Sequence, residues 1–190
     1  MKPFLLASGS PRRKELLEQA HLSFSVKTSS IEEFVDPNLT PADVVQSLSL
    51  QKAEAVAKVN KDAVVLGSDT VVVLDNEILG KPRDESDAKS MLQKLSGSTH
   101  KVFTGVAITD SETTKTFYSE TNVTFYELSD EEIDFYIATD NPLDKAGSYG
   151  IQDFGATFVK EIHGDYFAVV GLPIASTVKE LKAFGITPFK

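Results

Sequence analysis

The chain has 190 residues, 41% of them hydrophobic and 25% charged, the balance of a soluble globular fold able to bury roughly 70% of the surface its unfolded form exposes. Its 19 Lys and Arg against 28 Asp and Glu leave a net charge of −9, which argues against a general nucleic-acid binder and means that an anionic ligand has to be met by a local cluster of cations. The lack of cysteine excludes disulfides, thiolate nucleophiles and Cys-zinc sites, His21, His100 and His163 lack metal-ligand spacing, and no apolar run approaches the ~20 residues of a membrane span or suits a signal peptide, so a cytoplasmic protein with no membrane partner is expected.

The first segment, Leu5-Leu6-Ala7-Ser8-Gly9-Ser10-Pro11-Arg12-Arg13-Lys14, predicts a short buried strand, a tight turn and a helix running to about Ala20. Ser10 suits the N-cap and Pro11 the first helical position. Arg12, Arg13 and Lys14 then break an electrostatic rule, because a helix N-terminus is already the positive end of the macrodipole. Three cations beside free N–H groups make an anion site, most readily for phosphates. The competing reading is that these side chains reach into solvent or pair with acids elsewhere.

Leu22, Phe24 and Val26 alternate with polar residues as a half-buried strand does. The stretch from Ser29 to Pro37 is an acidic loop in which Glu32 or Glu33 can approach a cation, or simply be solvated. Thr40, Pro41 and Asp43 form a variant capping box opening a helix to about Val59, with the stripe Val45, Leu48, Val56 and Val59. Lys52 falls on that stripe, so it either snorkels along its stem or meets an anion in a cleft.

Ala63 to Leu66 is a continuous apolar run, the mark of a strand covered on both faces, and it ends in Gly67-Ser68-Asp69-Thr70 before a second run, Val71 to Leu74. An acid between two such runs is costly to bury unless paired or coordinating a metal, which makes Asp69 the leading catalytic candidate; the alternative is that it accepts backbone bonds in a bulge or turn. Asp75-Asn76-Glu77 reads as a turn, and Leu79-Gly80-Lys81-Pro82 presents Lys81 on a restricted backbone without matching a P-loop. Glu85 to Leu95 is an amphipathic helix stopped near Gly97, and Val102 to Ile108 with Phe117 to Phe125 form a hairpin around Asp110 to Thr114.

Ser129 and Glu132 make a capping box for a helix that turns Ile133, Tyr136 and Ile137 inward. The glycine-rich segment Asp144 to Gln152 allows close approach of a ligand, and Gln152 offers a donor and an acceptor to a base edge. Ala156 to Ile162 and Tyr166 to Val170 read as a second hairpin around His163-Gly164-Asp165, and Leu172-Pro173-Ile174 opens a last helix ending near Gly185. No repeat, linker or low-complexity segment interrupts the chain.

Ser8-Gly9-Ser10-Pro11-Arg12-Arg13, Gly67-Ser68-Asp69-Thr70, Leu79-Gly80-Lys81-Pro82 and Lys145-Ala146-Gly147-Ser148-Tyr149-Gly150-Ile151-Gln152 occur in the order that resembles the Maf family of septum-formation nucleoside triphosphate pyrophosphatases, across essentially the whole chain. The resemblance is nearest to the branch acting on dTTP and UTP. It implies one Maf-like α/β domain over residues 1–190, with an elongated mixed sheet flanked by helices and two lobes around a cleft, like inosine triphosphate pyrophosphatase. It also implies a homodimer in many members and a divalent metal, magnesium or manganese with cobalt as a further choice. The reaction implied is that of a nucleoside triphosphate diphosphatase, giving a monophosphate and pyrophosphate.

By the same resemblance, the proton acceptor matches Asp69, and the three specificity positions match Arg12, Thr70 and Gln152. Ser8, Arg13, Lys52 and Lys81 fall at substrate contacts, Lys52 and Lys81 with catalytic roles, and Glu33 sits in the acidic loop, where with Asp69 it can hold the metal. Gly9 departs from the larger polar residue of many members, which points to a changed loop rather than a changed reaction. Base and metal ligand are not separable for Asp69 at this level. The alternative from another class is a nucleotide-binding regulator of cell division that performs no chemistry, and a phosphomonoesterase is a second enzymatic alternative.

Overall fold

The computed structural model describes residues 2–28, 30–139 and 142–189; Ser29, at the head of the acidic loop, lies outside the described residues. Its elements run β1 (Phe4–Leu6), α1 (Pro11–Gln19), β2 (Ser25–Val26), α2 (Pro41–Ala57), β3 (Val64–Leu74), β4 (Glu77–Leu79), α3 (Glu85–Leu95), β5 (Thr99–Thr109), β6 (Thr114–Phe125), α4 (Asp130–Thr139), β7 (Val159–His163), α5 (Tyr166–Val170) and α6 (Ile174–Leu181). The strands form a seven-stranded mixed sheet in the order β2-β1-β3-β5-β6-β7, with β4 also pairing β3. β1 is parallel to β2 and β3, whereas β3–β4 and β6–β7 are antiparallel. Parallel pairing needs a crossover, and the capped helices α1 and α2 supply it. The architecture is α/β, as the alternation of apolar runs and amphipathic segments indicates.

The chain divides into two compact units, the first comprising Met1–Asp69, Thr104–Ser119 and Gly171–Lys190, the second Thr70–Phe103 and Glu120–Val170. In the first unit the packing of α2 on β3 is set by what the two elements lack. Val65, Gly67 and Asp69 lie on one face of the strand, since side chains alternate. Ala63 and Val65 belong to a core cluster with Leu5, Ala7, Ala53, Val56 and Ala107. A side chain at Gly67 would run into the Ser49 carbonyl and the Ala53 backbone nitrogen, and one at Gly105 of β5 into the Val45 carbonyl. Two bare positions on neighbouring strands thus let α2 lie directly on the sheet.

In the second unit α3 follows the expected bounds, from N-cap Asp84 to Leu95. The capping box of α4 is made by Ser129 N–H donating to Glu132 at 2.8 Å and Glu132 N–H donating back to Ser129 at 3.3 Å. Ile133 and Tyr136 are buried by α4, each at 1% exposure, and fully burying a side chain of this kind stabilises by roughly 1.5–3 kcal/mol.

Four expectations change. The strand expected from Leu22 to Val26 shortens to Ser25–Val26, both exposed, at the edge of the sheet. Val59 is 79% exposed because α2 ends at Ala57 and the chain turns away. Gly67 to Thr70 does not interrupt the sheet, since β3 runs through it from Val64 to Leu74. The second hairpin is half right: β7 pairs with β6, but Tyr166 to Val170 is helical, because the Asp165 carboxylate accepts from Phe167 N–H at 2.9 Å and starts a turn.

Candidate functional site

The motif after β1 folds as its residues require. Ser10 caps α1, accepting from Arg13 N–H at 3.5 Å, and Pro11 opens the helix. Ser8 is buried, and its hydroxyl accepts from Arg13 Nη1 at 3.1 Å and from Ser10 N–H at 3.3 Å. Arg13 Nε donates to the Gly171 carbonyl at 2.8 Å. Burial of the Arg13 guanidinium lowers its pKa, with Asp69 acting in the opposite sense. Arg13 therefore serves as a tie between the turn and the segment before α6. Lys14 is an exposed partner of Glu18 at 3.6 Å, so of the three first-turn cations it follows the solvated reading. Arg12 stands half-buried between them.

Across the same unit, the close approach of α2 at Gly67 has a direct result one pleat further on. Asp69 shares the face of Gly67, and Lys52 immediately precedes the Ala53 that packs there. Lys52 Nζ lies 2.5 Å from Asp69 Oδ1 and 3.2 Å from Glu33 Oε1. With side-chain exposures of 20% for Lys52 and 14% for Asp69, the pair is largely withdrawn from water. Lys52 thus reaches an acid instead of snorkelling outward, and of the two loop acids it is Glu33 that joins it.

Thr70, Lys81 and Gln152 belong to the second unit. Thr70 and Gln152 are half-buried and Lys81 is exposed. The Lys81 and Gln152 segments are tied together where Gly147 N–H donates to the Gly80 carbonyl at 3.0 Å. Behind the glycine-rich turn, Gly150 N–H donates to the Tyr136 hydroxyl at 2.9 Å, and the buried Tyr149 hydroxyl meets His100 Nε2 at 2.7 Å. The His100 and Tyr149 rings both pack edge-on against Phe125. Burial pushes His100 down to about 4 and the Tyr149 phenol up, and His100 Nδ1 has no hydrogen-bond partner among the described residues.

Three contributors escape sequence reasoning. Ser68 donates to the Gly105 carbonyl at 2.9 Å and faces the Gly171 carbonyl at 3.1 Å, so Gly171 receives both β3 and Arg13. Gly171 has φ 132°, a value that side-chain-bearing residues rarely adopt, so the position calls for glycine, and the sequence alone does not show that angle. Gln51 bonds the acidic loop through its amide, and nothing in an isolated glutamine marks that role.

Among the described residues no group of three or more His, Cys, Asp or Glu gathers around one point. The acids that do converge, Asp69 and Glu33, supply hard oxygen donors around a single cationic group, and such a pair suits a magnesium-like ion completed by water and phosphate oxygens. No helix among the described residues is long and apolar enough to cross a membrane.

A family model described as Maf-like protein matches residues 3–184. A dTTP/UTP pyrophosphatase of Bacillus cytotoxicus is 61% identical over 184 residues, covering 97% of this chain and 96% of that one. A dTTP/UTP pyrophosphatase of Bacillus cereus is 59% identical over 186 residues, covering 98% and 97%. Among solved structures, the Ham1 protein of Staphylococcus aureus aligns with a TM-score of 0.44 at 16% identity over 66% of this chain and 73% of its own. A HAM1 protein from Coxiella burnetii aligns with 0.45 at 14% over the same shares.

Proposed function

The chain belongs to the Maf-like family, and from that premise we propose that it is a nucleoside triphosphate pyrophosphatase that hydrolyses dTTP and UTP to the monophosphate and pyrophosphate. The observation that carries the reading is the Lys52 ammonium shared by Glu33 and by Asp69, which lies on a strand whose flanking runs, Val64 to Leu66 and Val71 to Leu74, are apolar. A carboxylate withdrawn from water needs a partner, and two acids brought to one lysine ammonium make a cluster that can position water and phosphate.

In the reaction, Asp69 orients the attacking water and accepts its proton. Lys52 holds the carboxylate in place, and because an ammonium has three donors it can meet a phosphate oxygen as well as the two acids. By the family resemblance, Arg12 has a specificity role together with Thr70 and Gln152, Lys81 is assigned to phosphate charge, and Arg13 and Ser8 keep their turn in shape. Asp69 and Glu33 would hold a divalent ion, magnesium or manganese, which when bound neutralises phosphate charge and lowers the pKa of water. The reading extends to a homodimer on the family resemblance, which light scattering of the purified protein tests.

The test of the reaction is incubation with UTP or dTTP and magnesium or manganese, followed by product identification. Monophosphate with pyrophosphate is expected. Orthophosphate would mark a phosphomonoesterase, and nucleotide binding without any product would mark a regulator that performs no chemistry.

A further inference from the structure

Gln51 has no part in the chemistry above, yet its side chain grips the acidic loop twice. Its amide oxygen accepts from Phe34 N–H at 3.0 Å and its amide nitrogen donates to the Phe34 carbonyl at 2.8 Å. Both backbone groups of one loop residue are satisfied, as a paired strand would satisfy them. The same nitrogen lies 3.1 Å from Ser47 Oγ, one turn back on α2, which fixes the side chain against its own helix. The loop from 30 to 36 has no regular secondary structure, and the Phe34 side chain is 72% exposed, so burial of that ring does not hold the loop there.

The residue before Phe34 is Glu33, and the residue after Gln51 is Lys52, the two that meet at 3.2 Å. Two consecutive residues of α2 therefore grip two consecutive residues of the loop, one by backbone and one by charge. An exposed ion pair on a loop is weak and entropically costly to hold in one geometry. A neutral two-point clamp on the neighbouring backbone removes much of that cost before substrate arrives. We propose that Gln51 is a positioning residue, which presents Glu33 to Lys52 and to the phosphate end of the substrate. The proposal rests on the reading of Glu33 given above.

Gln51→Met keeps an unbranched stem and a good helix former while removing both amide groups. In the full chain, without nucleotide or metal, the Phe34 amide should exchange with solvent about tenfold faster at an unchanged melting temperature. With UTP, kcat should fall about tenfold while KM stays within about twofold, the pattern of a group acting in the transition state. Gln51→Ala should reproduce both effects, which guards against a defect peculiar to methionine. Because Gln51 acts through Glu33, the double variant Gln51→Met with Glu33→Gln should be no slower than Glu33→Gln alone. A fully active Glu33→Gln overturns the Glu33 reading and this proposal with it. An impaired Glu33→Gln beside a Gln51→Met with normal kcat, normal Phe34 exchange or an additive double variant overturns this proposal alone.

Discussion

Lys52 Nζ and Asp69 Oδ1 are 2.5 Å apart, and the pair exists because α2 rests on a strand position that has no side chain. Neutralising Asp69 leaves the Lys52 ammonium with Glu33 at 3.2 Å as a remaining acidic partner, so the fold is kept while the carboxylate on the strand is lost. Asp69→Asn should lower kcat for UTP by roughly 10²–10⁴ while the protein stays folded. Near-normal turnover at a normal melting temperature would remove Asp69 from the reaction.

Gly67→Ala tests the packing beneath that pair. The added methyl meets the Ser49 carbonyl and the Ala53 backbone nitrogen, neither of which can rotate aside, so α2 must shift. A loss of about 1–3 kcal/mol or more is expected in urea unfolding, together with loss of activity as Lys52 moves with its helix. Gly80→Ala is the control, because nothing among the described residues lies within 4 Å of a methyl there, and it should leave stability nearly unchanged.

His100 gives the fold a pH-dependent term of known sign. Burial lowers its pKa from the ordinary 6.5 to about 4, so between those values the unfolded chain binds a proton that the native state refuses. Stability contributed by the neutral ring is therefore present above pH 6.5 and declines as pH falls toward 4, by roughly 3 kcal/mol at most. Urea midpoints of the parent and of His100→Gln across this window should converge at the acid end. Parallel curves would show that His100 does not resist protonation.

Base choice is tested at Gln152. Glutamate there removes the amide donor and repels carbonyl oxygens, so Gln152→Glu should lower kcat/KM for UTP and dTTP more than for CTP, by a factor corresponding to about 1–3 kcal/mol. An unchanged UTP to CTP ratio would move the discrimination to Arg12 and Thr70.

The helices were the most legible part of the sequence, because their signals are local. Ser10, Thr40 and Ser129 each make the cap bond that their spacing announces. Reading failed where several physical causes produce one pattern. Tyr166-Phe167-Ala168-Val169-Val170 is an apolar run with β-branched residues, which periodicity cannot assign, and Asp165 settles it as a helix by capping. Gly67-Ser68-Asp69-Thr70 has the composition of a turn, yet its glycine is there to admit α2 against a continuous strand. At the site, Asp69 and Lys52 stood out because charge on an apolar stripe is costly. Arg13 was singled out as a cation without any sign of the carbonyl it binds, and Gln51 was overlooked, since partners distant in sequence leave no local trace.

The bond from Arg13 to Gly171 spans 158 residues, and that from Ser68 to the same carbonyl region spans 103. At the usual 5–20 residues per second of synthesis, a nascent Arg13 waits roughly 8–30 s before its acceptor has even been added to the chain. The Arg13 motif is thus made well before the residue that completes its final shape. An incomplete chain carries the arginines without the tie that orders them, so truncated translation products ending before Gly171 should cleave no nucleotide, which a product assay on such fragments would read.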